Sequence, residues 1–150
     1  MKNPYQIPCN IAQTLNLIGD KWSLLILHRL LMGCGTYKEL QESLEGIPTN
    51  LLSERLKTLE ADGLLKSTLY QEHPPRYQYE LTPSGQDLRD IFNSIILWGE
   101  KYLHTCYKRL VHQDCGGHIV HQYYCTHCGK AVSEQELVLQ EPPSQEEKSV

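Results

Sequence analysis

At 150 residues the chain has room for one domain with a real core and a small appendage. Its 40% hydrophobic content excludes a wholly disordered chain, while its longest apolar runs, such as LLIL at 24–27, are too short for a membrane span; the N-terminal MKNPYQIPCN lacks the apolar run of a signal peptide, which points to the cytosol. The net charge of −4 is gathered at one end, in Glu134, Glu136, Glu141, Glu146 and Glu147 against Lys148, so residues 1–132 are neutral and free to carry a local basic face. In chain order, CNIAQTLNLI at 9–18 sets Ile11, Leu15 and Ile18 at helical spacing. GD at 19–20 breaks that pattern, and Asp20 can cap a second helix, KWSLLILHRLLM, apolar almost all round and suited to the centre of a core. GCG at 33–35 ends it.

Thr36-Tyr-Lys-Glu39 has the reciprocal capping-box spacing and opens a third short helix with Leu40 and Leu44 turned inward. After the Gly46-Ile47 turn, Pro48 stands where a fourth helix begins. That helix runs from about Thr49 to Asp62 with Leu52, Leu56 and Leu59 as its buried stripe, and Gly63 is its natural stop. LLKSTLYQE at 64–72 and RYQYELT at 76–82 change to strand alternation around an HPP turn. A hairpin after a helix-turn-helix is a wing. Thr82-Pro83 then opens a long helix whose stripe includes Leu88, Ile91, Phe92, Ile95, Ile96, Gly99, Tyr102, Leu103 and Cys106. The stripe is wider than one small domain needs and extends past its body, so it is expected to meet a second copy; the plainer reading is that it only covers the core. From about Glu134 the Gln, Glu, Pro and Ser content is that of a disordered tail.

The fourth helix carries the candidate chemistry. In a helix-turn-helix the second helix enters the major groove and its exposed N-terminal side chains touch base edges. With the leucines inward, Thr49, Asn50, Ser53, Glu54 and Lys57 face out. Hydroxyl and amide groups can read bases, and Lys57 can reach a phosphate. Such a face alone is most often just solvated; the flanking helix, turn and hairpin are what favour DNA. Glu54 is either a cytosine acceptor or an internal salt-bridge partner, and Arg55 either pairs with an acid or holds backbone phosphate. Arg76 beside Pro74-Pro75 suits minor-groove or phosphate contact, or is an ordinary strand-end arginine. Lys21 and Lys38, near helix N-termini, are further phosphate candidates.

LIGDKWSLLIL, YKELQESLEGIPTNLLSERLKTLEADGLL, HPPRYQYELTPSG and LWGE, in that order, resemble the HxlR-type winged-helix transcription regulators, relatives of the MarR family, over about two thirds of the chain, Cys9 to Gly99. The resemblance implies a homodimer that offers two recognition helices and two wings to a pseudo-palindromic operator in double-stranded DNA, and acts as repressor or activator. Several members of that family sense quinones, aldehydes or oxidants through a cysteine before the first helix, and Cys9 matches that position. At a helix N-terminus a thiol can be shifted toward reactive thiolate; the alternative for Cys9 is a small buried hydrophobe. Cys34, in a glycine-flanked turn, and Cys106, on the long helix, are expected to be inert.

Cys115, Cys125 and Cys128 form C-x9-C-x2-C. C-x2-C-G is the knuckle of zinc ribbons, and His112-Gln-Asp-Cys115-Gly repeats it with histidine first. His112, Cys115, Cys125 and Cys128 complete a tetrahedral zinc set, with His118 as the competing ligand. The alternatives are a ribbon that folds without metal or a reducible Cys125–Cys128 pair.

The expected architecture is therefore mainly α with a small β hairpin: a winged helix-turn-helix with a dimerisation helix at 1–108, a ribbon-like element at 109–133 and an acidic tail at 134–150. A winged-helix protein-interaction module, or a regulator answering a small ligand without redox chemistry, are the competing functions. No Ser/His/Asp set, phosphate loop or H-E-x-x-H supports an enzyme.

Overall fold

Helix α1 (Asn10–Ile18) opens the computed structural model, which describes residues 4–142. It is followed by α2 (Ser23–Leu31), α3 (Tyr37–Ser43), α4 (Thr49–Ala61), β1 (Leu65–Gln71), β2 (Arg76–Leu81), α5 (Pro83–Asp87), α6 (Arg89–Tyr102), β3 (Tyr123–Cys125), β4 (Lys130–Val132) and a 3-10 turn, Glu134–Glu136. Two compact units divide between Ile95 and Ile96, inside α6. Among the described residues no helix is long and apolar enough to cross a membrane.

The first unit is the winged helix. Ile26 and Leu27 of α2, Leu40 of α3 and Leu52, Leu56 and Leu59 of α4 are fully or almost fully buried in one cluster, closed by Leu64, Leu65, Leu88 and Phe92. Each such side chain contributes roughly 1.5–3 kcal/mol by leaving water. The α4 stripe is thus the expected one, and Gly63 ends the helix at φ +75°, a left-handed conformation that a side chain disfavours. The α3 capping box is complete: Thr36 Oγ1 accepts from Glu39 N, and the Glu39 carboxylate accepts from the Thr36 and Gly35 amides.

Two expectations are corrected, at the start of α2 and along the helix after Thr82. Helix α2 starts at Ser23, not Lys21. Trp22, not Asp20, stands at its cap position, and Asp20, two residues earlier, accepts from the Trp22 and Ser23 amides at 2.9 and 3.1 Å and from the Ser23 hydroxyl. Helix α1 forms where its spacing predicts, with Ile18 and Ala12 buried while Ile11 and Leu15 face solvent. The long helix after Thr82 is interrupted at Leu88, whose amide reaches only back to Gly85 O, and α6 ends at Tyr102. Cys106 therefore lies beyond the helix rather than on it, and is exposed.

The wing pairs β1 with β2 antiparallel from Leu65↔Leu81 to Gln71↔Arg76, with an irregularity between Leu69 and Gln71. Its base is pinned to the start of α3 by a Thr36↔Gln78 bridge and by Tyr79 N donating to Gly35 O at 2.7 Å.

In the second unit β3 and β4 form a short antiparallel hairpin, Tyr123↔Val132 to Cys125↔Lys130. Glu100, in the LWGE stretch, accepts from Arg109 Nε at 2.8 Å and lies 3.6 Å from His118 Nδ1. The Arg109 hydrogen bond outweighs the cost of burial and holds the Glu100 carboxyl below the usual carboxylate range. The tail expected from Glu134 begins with an ordered turn, capped reciprocally by Ser133 and Glu136. Its last residues, 143–150, lie outside the described residues.

Candidate nucleic-acid interface

Opposite its buried leucines, α4 exposes Thr49, Asn50, Glu54 and Lys57. Ser53 is half-buried: its hydroxyl lies 3.4 Å from Tyr37 Oη, which itself donates to Thr49 O at 2.8 Å. Tyr37 thus ties the start of α3 to the first turn of α4 and sets the direction in which that turn points. Sequence reasoning assigned Tyr37 no role, because a contact twelve positions away leaves no mark in local spacing.

Glu54 is exposed and its only carboxylate partner among the described ion pairs is Arg55, at 3.9 Å, which leaves its oxygens open toward a ligand. Arg55 is turned the other way. Its Nε lies 3.5 Å from Asp20 Oδ1, and the side chain is about one quarter exposed, so it joins the front of α2 to α4 instead of reaching outward. Burial alone would raise the Asp20 carboxyl; the Ser23 hydroxyl, the Trp22 and Ser23 amides and the Arg55 guanidinium outweigh it and hold that group below the usual carboxylate range. Lys21, beside Asp20 and over the Trp22 ring at 4.9 Å, lies next to this junction.

Lys38 and Arg76 are brought together. With Thr36, Tyr37, Tyr70, Pro75, Tyr77 and Tyr79 they line a cleft of about 560 Å³ between α3 and the wing. Lys38 pairs with Glu42 at 3.8 Å, but both side chains are mostly in water, so that pair is weak and easily exchanged for a phosphate. The tyrosines give this basic cleft planar walls; they too went unread in the sequence, where Tyr counted only as strand composition. Burial pushes the Tyr79 phenol up, with Glu60, Tyr77 and Tyr37 adding to it, so it stays a neutral hydroxyl.

Cys9 is exposed at the cap position of α1, where its carbonyl accepts from Gln13 N at 3.0 Å and its thiol makes no capping bond. Of the candidate metal ligands, His112 and Cys115 meet (Nδ1 to Sγ, 3.2 Å) and Cys125 and Cys128 form a second pair. The Cys128 amide, foremost, holds the Cys125 thiol below its ordinary range. Among the described residues no group of three or more His, Cys, Asp or Glu side chains converges as a metal site, and His118 Nδ1 lies 3.6 Å from a Glu100 oxygen.

Comparison with known proteins agrees with this geometry. A family model of HxlR-like helix-turn-helix proteins matches residues 17–107. The uncharacterised HTH-type transcriptional regulator Rv3095 of Mycobacterium tuberculosis is 33% identical over 137 residues, covering 89% of this chain and 86% of its own. The crystal structure of PA1607 superposes with a TM-score of 0.73 at 29% identity, over 91% of this chain and 97% of that one. The redox regulator HypR in its oxidised form superposes with a TM-score of 0.59 at 30% identity, over 65% of this chain and all of that one.

Proposed function

Because the chain belongs to the HxlR-like helix-turn-helix family, and so is a transcription regulator and not an enzyme, we propose that it binds an inverted-repeat operator as a homodimer and answers electrophiles or oxidants through Cys9. The observation that carries the DNA reading is the two-sided α4: leucines sealed on one side, and Thr49, Asn50, Glu54 and Lys57 open on the other. Asn50 suits adenine, Glu54 a cytosine amino group and Lys57 a phosphate. Lys38, Arg76 and the tyrosine-walled cleft take the flanking backbone, so a modest number of phosphate contacts supports affinity despite the chain's negative net charge.

The test begins with selection from random duplexes and footprinting. The expected site has half-sites about one helical turn apart, roughly 34–36 Å. Lys57→Ala and Arg76→Ala should each lose affinity for every duplex and lower the salt slope by about one, with helicity and oligomeric state unchanged. Unchanged duplex binding by both variants would favour the protein-interaction reading instead.

For the signal, the supporting observation is an exposed thiol at the start of α1, together with the likeness to a redox regulator. Cys9→Ser should bind operator as the parent does but no longer release it when treated with a quinone or peroxide. A retained response in that variant would assign the signal to a non-covalent ligand.

A further inference from the structure

The stretch after α6 contains one small device twice. His112-Gln-Asp-Cys115-Gly116 and Cys125-Thr-His-Cys128-Gly129 turn through glycines with φ of 67° and 66°. In each, the glycine amide donates to the carbonyl of the first residue, Gly116 N to His112 O at 2.8 Å and Gly129 N to Cys125 O at 2.9 Å. In each, a backbone amide is aimed at a sulfur, Gly117 N at Cys115 Sγ and Cys128 N at Cys125 Sγ, both 3.4 Å. Amides so placed stabilise charge on a thiolate. The Val111↔His118 bridge closes the first turn and the β3–β4 hairpin carries the second.

These two turns hold their form without a core. From 101 to 142 every described residue is exposed or half-exposed, and Val120, Tyr123 and Tyr124 stand in solvent. Elements this small require a cross-link, a metal or a partner. The donor set is three thiols and an imidazole, which is the chemistry of a closed structural zinc site. His112 already meets Cys115 at 3.2 Å, whereas the Nδ1 of His118 faces Glu100 at 3.6 Å, and the contact with a cysteine favours His112 as the fourth ligand.

We propose that the two knuckles close on one Zn²⁺, with His112, Cys115, Cys125 and Cys128 as its four ligands. Among the described residues no three of these groups converge, so the structure shows two separate pairs. Each pair supplies half of a tetrahedron, and binding the ion draws the halves together. Binding replaces the thiol protons with the metal, so up to three protons leave for each ion bound. With no position open to water, the site is structural and orders the ribbon without taking part in a reaction.

The test uses the full chain, purified without chelator. Elemental analysis should find one zinc per chain, and replacement by Co²⁺ should give the visible bands of a tetrahedral ion with a sulfur-to-metal charge-transfer band. Cys115→Ser, Cys125→Ser and His112→Gln should lose most of the metal, while His118→Gln keeps it. Removing the metal should speed amide exchange in 109–136 and leave the winged helix protected. Metal content at background, an octahedral cobalt spectrum, metal unaffected by the cysteine variants, or a Cys125–Cys128 disulfide in the native chain would each overturn the proposal. Operator binding plays no part in these readouts, so this site and the DNA reading stand or fall separately.

Discussion

Tyr37 is the residue where sequence, packing and recognition meet most closely. Its hydroxyl donates to the carbonyl of Thr49, the first residue of α4, and its oxygen lies beside Ser53. Tyr37→Phe keeps the ring and removes only that hydroxyl. The expected loss of stability is about 1 kcal/mol, the net worth of a typical hydrogen bond. Operator affinity should fall further than stability explains, because the first turn of α4 is then free to tilt against the bases. Denaturant midpoints and fluorescence anisotropy on the same samples separate the two effects. Asp20 gives a second test. Its carboxyl is held low in the folded chain, so the stability it supplies is present above the ordinary carboxylate range, near pH 4, and is lost as pH falls through its lower folded value. Asp20→Asn keeps an oxygen for the α2 amides but has no charge for Arg55. It should be less stable than the parent at neutral pH and flatter in its acid dependence, so the two denaturation curves should approach each other on acidification.

Among the elements, the join between the wing and α5 is the least forgiving. Gly85 is buried with its Cα against the Leu64 carbonyl, and an added Cβ would run into that backbone oxygen. No rotamer can relieve such a clash, so Gly85→Ala should cost roughly 1–3 kcal/mol, read from thermal or denaturant unfolding. Elements of this kind also divide what the sequence reveals from what it hides. The Thr36–Glu39 box, the Leu52-Leu56-Leu59 stripe, the Gly63 stop and the Thr82 cap were all legible, because each is settled within one or two turns of chain. The break at Leu88 was not: Leu88, Ile91, Phe92 and Ile95 keep helical spacing straight through it, and only the packing of Leu88 and Phe92 against the α2 core marks it. Site residues divide the same way. Asn50 and Lys57 fall on the open face by periodicity alone, whereas the Asp20–Arg55 pair and the cleft joining Lys38 to Arg76 are made by tertiary contacts that spacing does not carry.

For the whole molecule, the apolar residues left in water bear on assembly. Ile11 and Leu15 of α1 are 72% and 43% exposed. On α6, positions 91, 95, 98 and 102 fall one turn apart, and Ile95 and Trp98 are 49% and 60% exposed. An aromatic and aliphatic stripe of that length is costly in a monomer and is what a self-complementary two-fold contact would bury. Trp98→Glu places a charge in the middle of that contact while leaving the winged-helix core untouched. The variant should keep the parent's helicity but sediment as a monomer. Its loss of binding should follow from geometry: a dimer engages two half-sites together, and the second engagement adds roughly 10²–10⁴-fold through effective concentration. A monomeric Trp98→Glu chain should therefore lose about that factor on the full inverted repeat while binding an isolated half-site as weakly as the parent does. Should the variant stay dimeric, or lose half-site and full-site affinity equally, the α6 stripe is not the surface that pairs the two recognition helices.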